Sequence, residues 1–307
     1  MISQLCVLFA GSFDLTGWRQ HEQLLKKTKK IARKISRISS RKGRHYKRRL
    51  KKQYRELLKH TRKILRRAHC LCDEVQSRCL SPLEQAQLER LKTFIQRTEH
   101  VCDTARRRVV KGEKVPNKDQ LFSLFEPHTQ LYKRGKAGEP VQFGRLVLIY
   151  EDAVGFITHH HILPRDAQDQ DVVIEQTCIV QDRLHGRIEE ASFDRGFNSP
   201  ENQKKLADII KHPCLPKPGA KQSVEQQATA SVEFHQARQR HPGVESAIGA
   251  LQSGNGLKRC RDRGELGFDR YVALAILGRN LHTLGKLVIT RKNADCPAAL
   301  TKRKAAA

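Results

Sequence analysis

Acidic residues are scarce in this chain. Its 307 residues carry 32 Asp and Glu against 59 Lys and Arg, a net charge of +27, which favours a polyanionic partner over an acidic small molecule. Long apolar runs are missing as well. The one near the amino terminus, Leu5 to Ala10, has no positive charge ahead of it and is too short for a signal peptide or a membrane span. Nothing else reads as reaching spanning length, so no membrane partner is expected and the protein should be soluble and cytoplasmic. Cysteine is present without a pattern. The nine cysteines are odd in number, and Cys70-Leu-Cys72 is one residue short of a C-x-x-C pair, with no second pair at zinc-site distance. Reduced thiols are expected.

The positive charge is concentrated. From Arg19 to Arg67 there are 22 Lys and Arg and only Glu22 and Glu56 as acids, so +20 of the +27 lies there. A short basic run is ordinarily a solvated helix face. Over this length, with Arg41, Lys42, Arg44, Lys47, Arg48, Arg49, Lys51 and Lys52 packed together, self-repulsion favours an anionic polymer, double-stranded nucleic acid, as partner. Lys133, Arg134 and Lys136 form a second basic loop suited to phosphate, or simply a solvated connection.

Residues 20 to 112 read as helical. Leu24, Thr28, Ile31, Ile35 and Ile38 recur at helical spacing up to Gly43, and a second helix is expected from Tyr46 through Cys72. Ser81, Pro82 and Glu84 announce a third, stopped at Gly112. From Leu121 the period changes. Strands are expected at Leu121–Phe125, Val141–Tyr150 and Phe156–Leu163, the last two joined by a tight turn. Then come a helix near Asp171–Leu184, a strand at Arg187–Phe193, a helix at Ser199–Ile210, a short strand at Cys214-Leu215, and closing helices at Val244–Leu251 and Phe268–Leu287. This order predicts an α/β chain with a mixed sheet.

Chemistry concentrates in Ala191-Ser-Phe-Asp194-Arg-Gly-Phe-Asn-Ser-Pro200 and His241-Pro-Gly-Val-Glu245-Ser-Ala-Ile248. An apolar run ending in Asp194 before a glycine turn and a new helix puts a carboxylate at the carboxyl end of a strand, where open α/β sheets place their sites. With Gly256-Leu-Lys-Arg-Cys260 and the helix from Gly267 to Gly285, these blocks resemble the carboxyl-terminal part of bacterial insertion-sequence transposases, the ISNCY-like branch of the DDE transposases. The resemblance implies an RNase H-like mixed sheet carrying a long basic helical insertion. It implies phosphoryl transfer on DNA with Mg²⁺ or Mn²⁺, and Asp194 and Glu245 as the second and third catalytic, metal-holding acids. The implied partners are transposon ends and target DNA in the bacterial nucleoid, with a homo-oligomer on DNA as one option. Two metal ions suit the chemistry because charge builds on both the attacking and leaving oxygens, and hard Mg²⁺ selects carboxylates.

Plainer accounts compete at each residue. Asp194 fits an ordinary turn before Arg195-Gly196, and Glu245 fits the first turn of a helix, where the dipole favours an acid. The first acid of the resembled set, in a motif around Asp-Thr-Thr-Val-Val-Glu on the opening strand, has no match before Gly17-Trp-Arg-Gln-His21. A truncated or frameshifted element lacking the first core strand is therefore expected. Glu126, ending Leu121–Phe125 ahead of Pro127, is the internal substitute, or else a strand-end residue turned outward. Glu151 and Asp152 read as turn residues, and Asp166, Asp169 and Asp171 as a helix start. Of His159, His160 and His161 only the first and third share a strand face, too few ligands for zinc. Arg238 and Arg240 are candidate phosphate or carboxylate partners. The expected divisions are 1–17 as an upstream remnant, 18–115 as the basic insertion, 116–290 as the core and 291–307 as a disordered basic tail. A non-catalytic DNA-binding remnant is the alternative function.

Overall fold

A computed structural model of the chain describes residues 1–132 and 141–295. The described chain forms two units, Met1–Gly144 and Arg145–Ala307.

The first unit is helical because its caps and stripes leave little choice. It comprises α1 (Ile2–Ser12), α2 (His21–Arg41), α3 (Tyr46–Gln76) and α4 (Pro82–Ala105). Ser81 opens α4 as expected: its Oγ accepts from the Glu84 N–H at 3.3 Å, while its own N–H donates to the Glu84 carboxylate at 2.9 Å. α4 runs on through a π-helical turn, Arg106–Lys111, and stops at Gly112, whose φ of +84° suits glycine. The core joins Cys6 and Phe9 of α1 to Trp18, to Leu65, Ala68, Leu71 and Val75 of α3, and to Leu88, Leu91 and Ile95 of α4. Residues 1–17 thus fold into this core rather than standing apart from it. The core sits at one end of the α2–α3 hairpin. Its other end, Arg41 to Lys52, lies beyond Leu58, the first buried residue of α3.

The segment Leu121–Phe125 is not a strand, contrary to its apolar run. Its Leu124 carbonyl accepts from the Arg97 side chain at 2.8 Å, and Ser123 Oγ accepts from the N–H of Glu126, the residue after the run, at 3.0 Å. The strands of this unit are β1 (Gln130–Tyr132) and β2 (Gln142–Gly144), paired antiparallel.

In the second unit, β3 (Val147–Glu151) and β4 (Ile157–Ile162) form the expected hairpin, with Val147 opposite Ile162. Asp152 closes its turn by accepting from the N–H groups of Val154 and Phe156, both at 2.9 Å. After α5 (Asp169–Arg183) come β5 (Glu190–Ser192), α6 (Pro200–Ile209) and β6 (His212–Cys214), a βαβ unit with β5 parallel to β6. Then follow α7 (Ala220–Thr229), α8 (Val232–Arg240), α9 (Pro242–Ser253) and α10 (Gly264–Asp295). The mixed sheet expected from strand order is not joined by hydrogen bonds. Among the described residues there are three separate two-stranded ladders. Side chains connect two of them: the Tyr150 ring lies edge-on to Phe193 at 6.5 Å, and its hydroxyl meets Thr177 Oγ1 at 2.9 Å.

Two expectations change at the carboxyl end. α10 extends to Asp295, so the tail expected from residue 291 begins inside a helix. Gly264–Ala294 is also long and apolar enough by length and composition to cross a membrane. The expectation that nothing reaches spanning length therefore fails at this helix, although Arg279 and Lys286 lie within it.

Glu151 is a core residue of this unit, not merely a turn residue. It ends β3 with the Arg279 guanidinium 3.9 Å away. Burial raises its carboxyl above the usual value, Arg279 pulls it down, and Asp152 adds to the rise. A raised carboxyl binds its proton more tightly when folded than unfolded. The wild type should therefore gain stability relative to Glu151→Gln as pH falls through the raised value towards 4.5. Thermal midpoints of both proteins from neutral down to that pH test it, and a difference independent of pH would refute it.

Candidate functional site

Asp194 stands two residues past the end of β5 at Ser192 in the β5–β6 ladder. The ladder is extended by the Phe193 N–H donating to the Cys214 carbonyl at 2.9 Å, and Phe193 is buried in the core with Val173, Leu206 and Leu215. That burial fixes where the strand ends. Asp194 is extended, with φ −69° and ψ 156°, and caps a 3-10 turn, Arg195–Phe197. The turn is held from behind. Gln170 donates to the Asn198 carbonyl at 2.8 Å, and Asn202 donates to the carbonyls of Phe197 and Gln170 at 3.0 and 2.9 Å. A Cβ on Gly196 would stand 2.9 Å from Asp169 Oδ2, so a larger residue there would require the Asp169 carboxylate to move aside. The Asp194 carboxylate itself is open, its side chain 70% exposed.

His241 reaches across to it. Its side chain is 11% exposed and bridges two residues of the strand, Nδ1 to Ser192 Oγ at 3.1 Å and Nε2 to Asp194 Oδ1 at 3.0 Å. A carboxylate only accepts, so the hydrogen-bond network assigns the proton of that contact to Nε2. His241 itself is helical, with φ −53° and ψ −37°, and leads into α9. Glu245 follows four residues later in the first turn, exposed, and so lies on the same helix face about 5–6 Å on between Cβ atoms. His241 thus contacts Asp194 directly, and Glu245 sits one helical turn further along α9.

The other candidates divide. Arg240 pairs with Glu190 at 3.6 Å, and the buried Arg238 Nη1 has no hydrogen-bond partner among the described residues. Cys214, buried beneath Ser192, has its thiol pushed up by burial. Burial likewise raises Cys6 to about 12 and Cys72 to about 11. The eight described cysteines are free, and these three are inert at neutral pH. His159 is a satisfied core residue: Nε2 meets Gln176 Oε1 at 2.8 Å and Nδ1 meets Arg183 at 2.9 Å, with burial lowering its pKa. Its ring nitrogens are both engaged, one by a cation, so it cannot take a metal as placed. Glu126 belongs to the first unit, in a turn where the Thr129 N–H donates to its carbonyl at 3.0 Å and His128 lies 3.8 Å from its carboxylate. Arg41, Lys42, Arg44, Lys47, Arg48, Arg49 and Lys52 are exposed and Lys51 half-buried, all at the hairpin's far end. Lys133, Arg134 and Lys136 lie outside the described residues.

The donor chemistry at Asp194 and Glu245 suits a hard cation, but the count is short. Among the described residues no group of three or more His, Cys, Asp and Glu is placed to hold a metal. The residue that sequence reasoning missed is His241. An expected helix start at Val244 leaves His241 outside the helix, with no spacing to link it to Glu245. With the helix extended back, the spacing of His241 and Glu245 is the signal that pairs them. No family model, no curated protein and no solved structure matches the chain.

Proposed function

We propose that the chain is a DNA transposase chain of the DDE type, RNase H-like by resemblance and acting in the bacterial cytoplasm on double-stranded DNA. The observation that supports this reading is the His241–Asp194 contact at 3.0 Å, which links the start of the helix bearing Glu245 to the strand end bearing Asp194, the two acids of the resembled motifs. The basic α2–α3 hairpin supports the choice of DNA, since phosphate contacts supply affinity whatever the sequence. Mg²⁺ or Mn²⁺ held there would stabilise the attacking and leaving oxygens of a phosphoryl transfer. This chain's own residues do something simpler: His241, anchored by Ser192, holds the Asp194 carboxylate by its Nε2–H, and the clamped turn keeps that carboxylate at the strand end.

The shortfall of one acid favours a second reading, a DNA-binding remnant without catalysis, which forms mixed complexes with an intact transposase. Calorimetric titration with Mn²⁺ tests the shared premise. Weak binding is expected, because two carboxylates leave most of the coordination shell to water, and Asp194→Ala or Glu245→Ala should abolish it. Titrations unchanged in both variants would show that the two acids form no site.

A further inference from the structure

We propose that the cleft beside the Asp194 turn, walled by α6, β6, α7 and α8, takes an unpaired nucleobase of a bound DNA strand, an inference that rests on the DNA reading above. The cleft holds about 960 Å³, within the range of ligand pockets. Its lining begins at Asn198, the residue that closes the 3-10 turn capped by Asp194. Its far wall includes Phe234 of α8, which stands seven residues, or two helical turns and about 10 Å, ahead of His241 on the same helix face. A third wall is tied to the same turn. Arg195, next to Asp194, donates from Nη2 to Ser223 Oγ of α7 at 3.5 Å. The segments that follow Asp194 and precede His241 therefore both run into this cleft.

The lining selects the occupant. Lys217 and Glu225 are its one cation and one acid, so the interior favours neither sign of charge. Leu206 and Leu215, 0 and 3% exposed, give it an apolar floor, and the half-buried ring of Phe234 gives it a flat wall. The side-chain amides of Gln203 and Gln222 line it with no hydrogen-bond partner among the described residues. Gln226, by contrast, is spent on the wall itself: its Oε1 accepts from the Lys217 N–H at 2.7 Å and its Nε2 donates to the Leu215 carbonyl at 3.1 Å. A nucleobase answers both features, with faces that stack on an aromatic ring and an edge of donors and acceptors that amides read. Inside a duplex its faces are covered, so only a base out of the stack enters. The shape points to a polymer. A second hollow of about 330 Å³ shares Pro213, Gln226, Thr229 and Phe234 with the first and adds Lys211. A trough with an aromatic ring on the border of both hollows suits successive units of a chain, and Lys211 and Lys217 are placed for the phosphates between them. A proline-rich peptide also docks on aromatic grooves, but it gives these two cations nothing to meet.

The test is fluorescence anisotropy of the full chain, without divalent metal, on three DNAs: a blunt duplex, the same duplex with short unpaired dA tails on every strand end, and one whose tails are abasic so that only their phosphates remain. The wild type is expected to bind the dA-tailed duplex about tenfold more tightly than the abasic one, as stacking of a base on an aromatic ring allows. Phe234→Ala should erase that difference and leave binding to the blunt duplex as in the wild type. Should this variant lose helicity by circular dichroism, Gln203→Ala/Gln222→Ala decides, and it should lower the preference for bases at least threefold. Equal binding of the two tailed duplexes by the wild type would overturn the proposal. If the blunt duplex still binds, the DNA reading survives that result; if no duplex binds, both fail together. A preference for bases kept in full by both variants would also overturn the proposal. So would a wild type without that preference that binds a decaproline peptide and loses it in Phe234→Ala, since the cleft would then be a peptide groove.

Discussion

Random-sequence duplex DNA is expected to bind this chain, and salt is expected to release it steeply. If the eight cations of the hairpin end, Arg41, Lys42, Arg44, Lys47, Arg48, Arg49, Lys51 and Lys52, each neutralise one phosphate, the log–log salt slope is about −7, a loss of about 10⁴ in affinity between 50 and 200 mM salt. Replacing all eight by Gln should remove most of that slope along with the affinity. Deleting Arg19 to Arg67 outright would be a poorer experiment, because it takes Ile31, Leu58 and Leu65 out of the core and unfolds the unit. Gln keeps helix propensity, and none of the eight residues is part of the core, so the variant isolates charge from fold. A flat salt dependence of the wild type, or an all-Gln variant that binds as well, would remove nucleic acid from the account of this hairpin.

In the first unit α2, α3 and α4 are legible because their signals are local, whereas α1, read as an upstream remnant, is not. Ser81 and Glu84 form a capping box within one turn of chain, and Gly112 ends its helix with a positive φ. The first strand was misread for the same reason in reverse. Leu121–Phe125 has the apolar run of a strand, but the Arg97 side chain takes its Leu124 carbonyl, and nothing in the run announces that partner. At the site, the positions of Asp194 and Glu245 followed from their motifs, and the βαβ order placed Asp194 at a strand end. His241 did not follow. Its role depends on a helix that starts at Pro242 instead of Val244 and on a contact across 47 residues of chain.

Strand cleavage is where the shortage of one acid should have its largest effect. Residues 1 to 307 alone are expected not to cut duplex DNA bearing the sequences that flank the gene, even with Mg²⁺ in excess. A two-metal site stabilises the attacking and leaving oxygens together, and removing one carboxylate takes away both charge and geometry, a loss of several kcal/mol in the transition state, or about 10² to 10⁴ in rate. His241 does not make up the deficit. Imidazole suits softer cations than Mg²⁺, and its Nε2 proton is committed to Asp194. The assay is end cleavage by the chain with and without a supplied segment carrying a third acid on a strand, and cutting should appear only with it. Asp194→Ala and Glu245→Ala should each abolish that restored cutting, whereas Glu126→Ala should leave it intact. Vigorous Mg²⁺-dependent cutting by the chain alone would mean the third acid is already present. If Glu126→Ala then abolished that cutting, Glu126 would be identified as that acid, and the turn beside His128 would have to be read as part of the catalytic site.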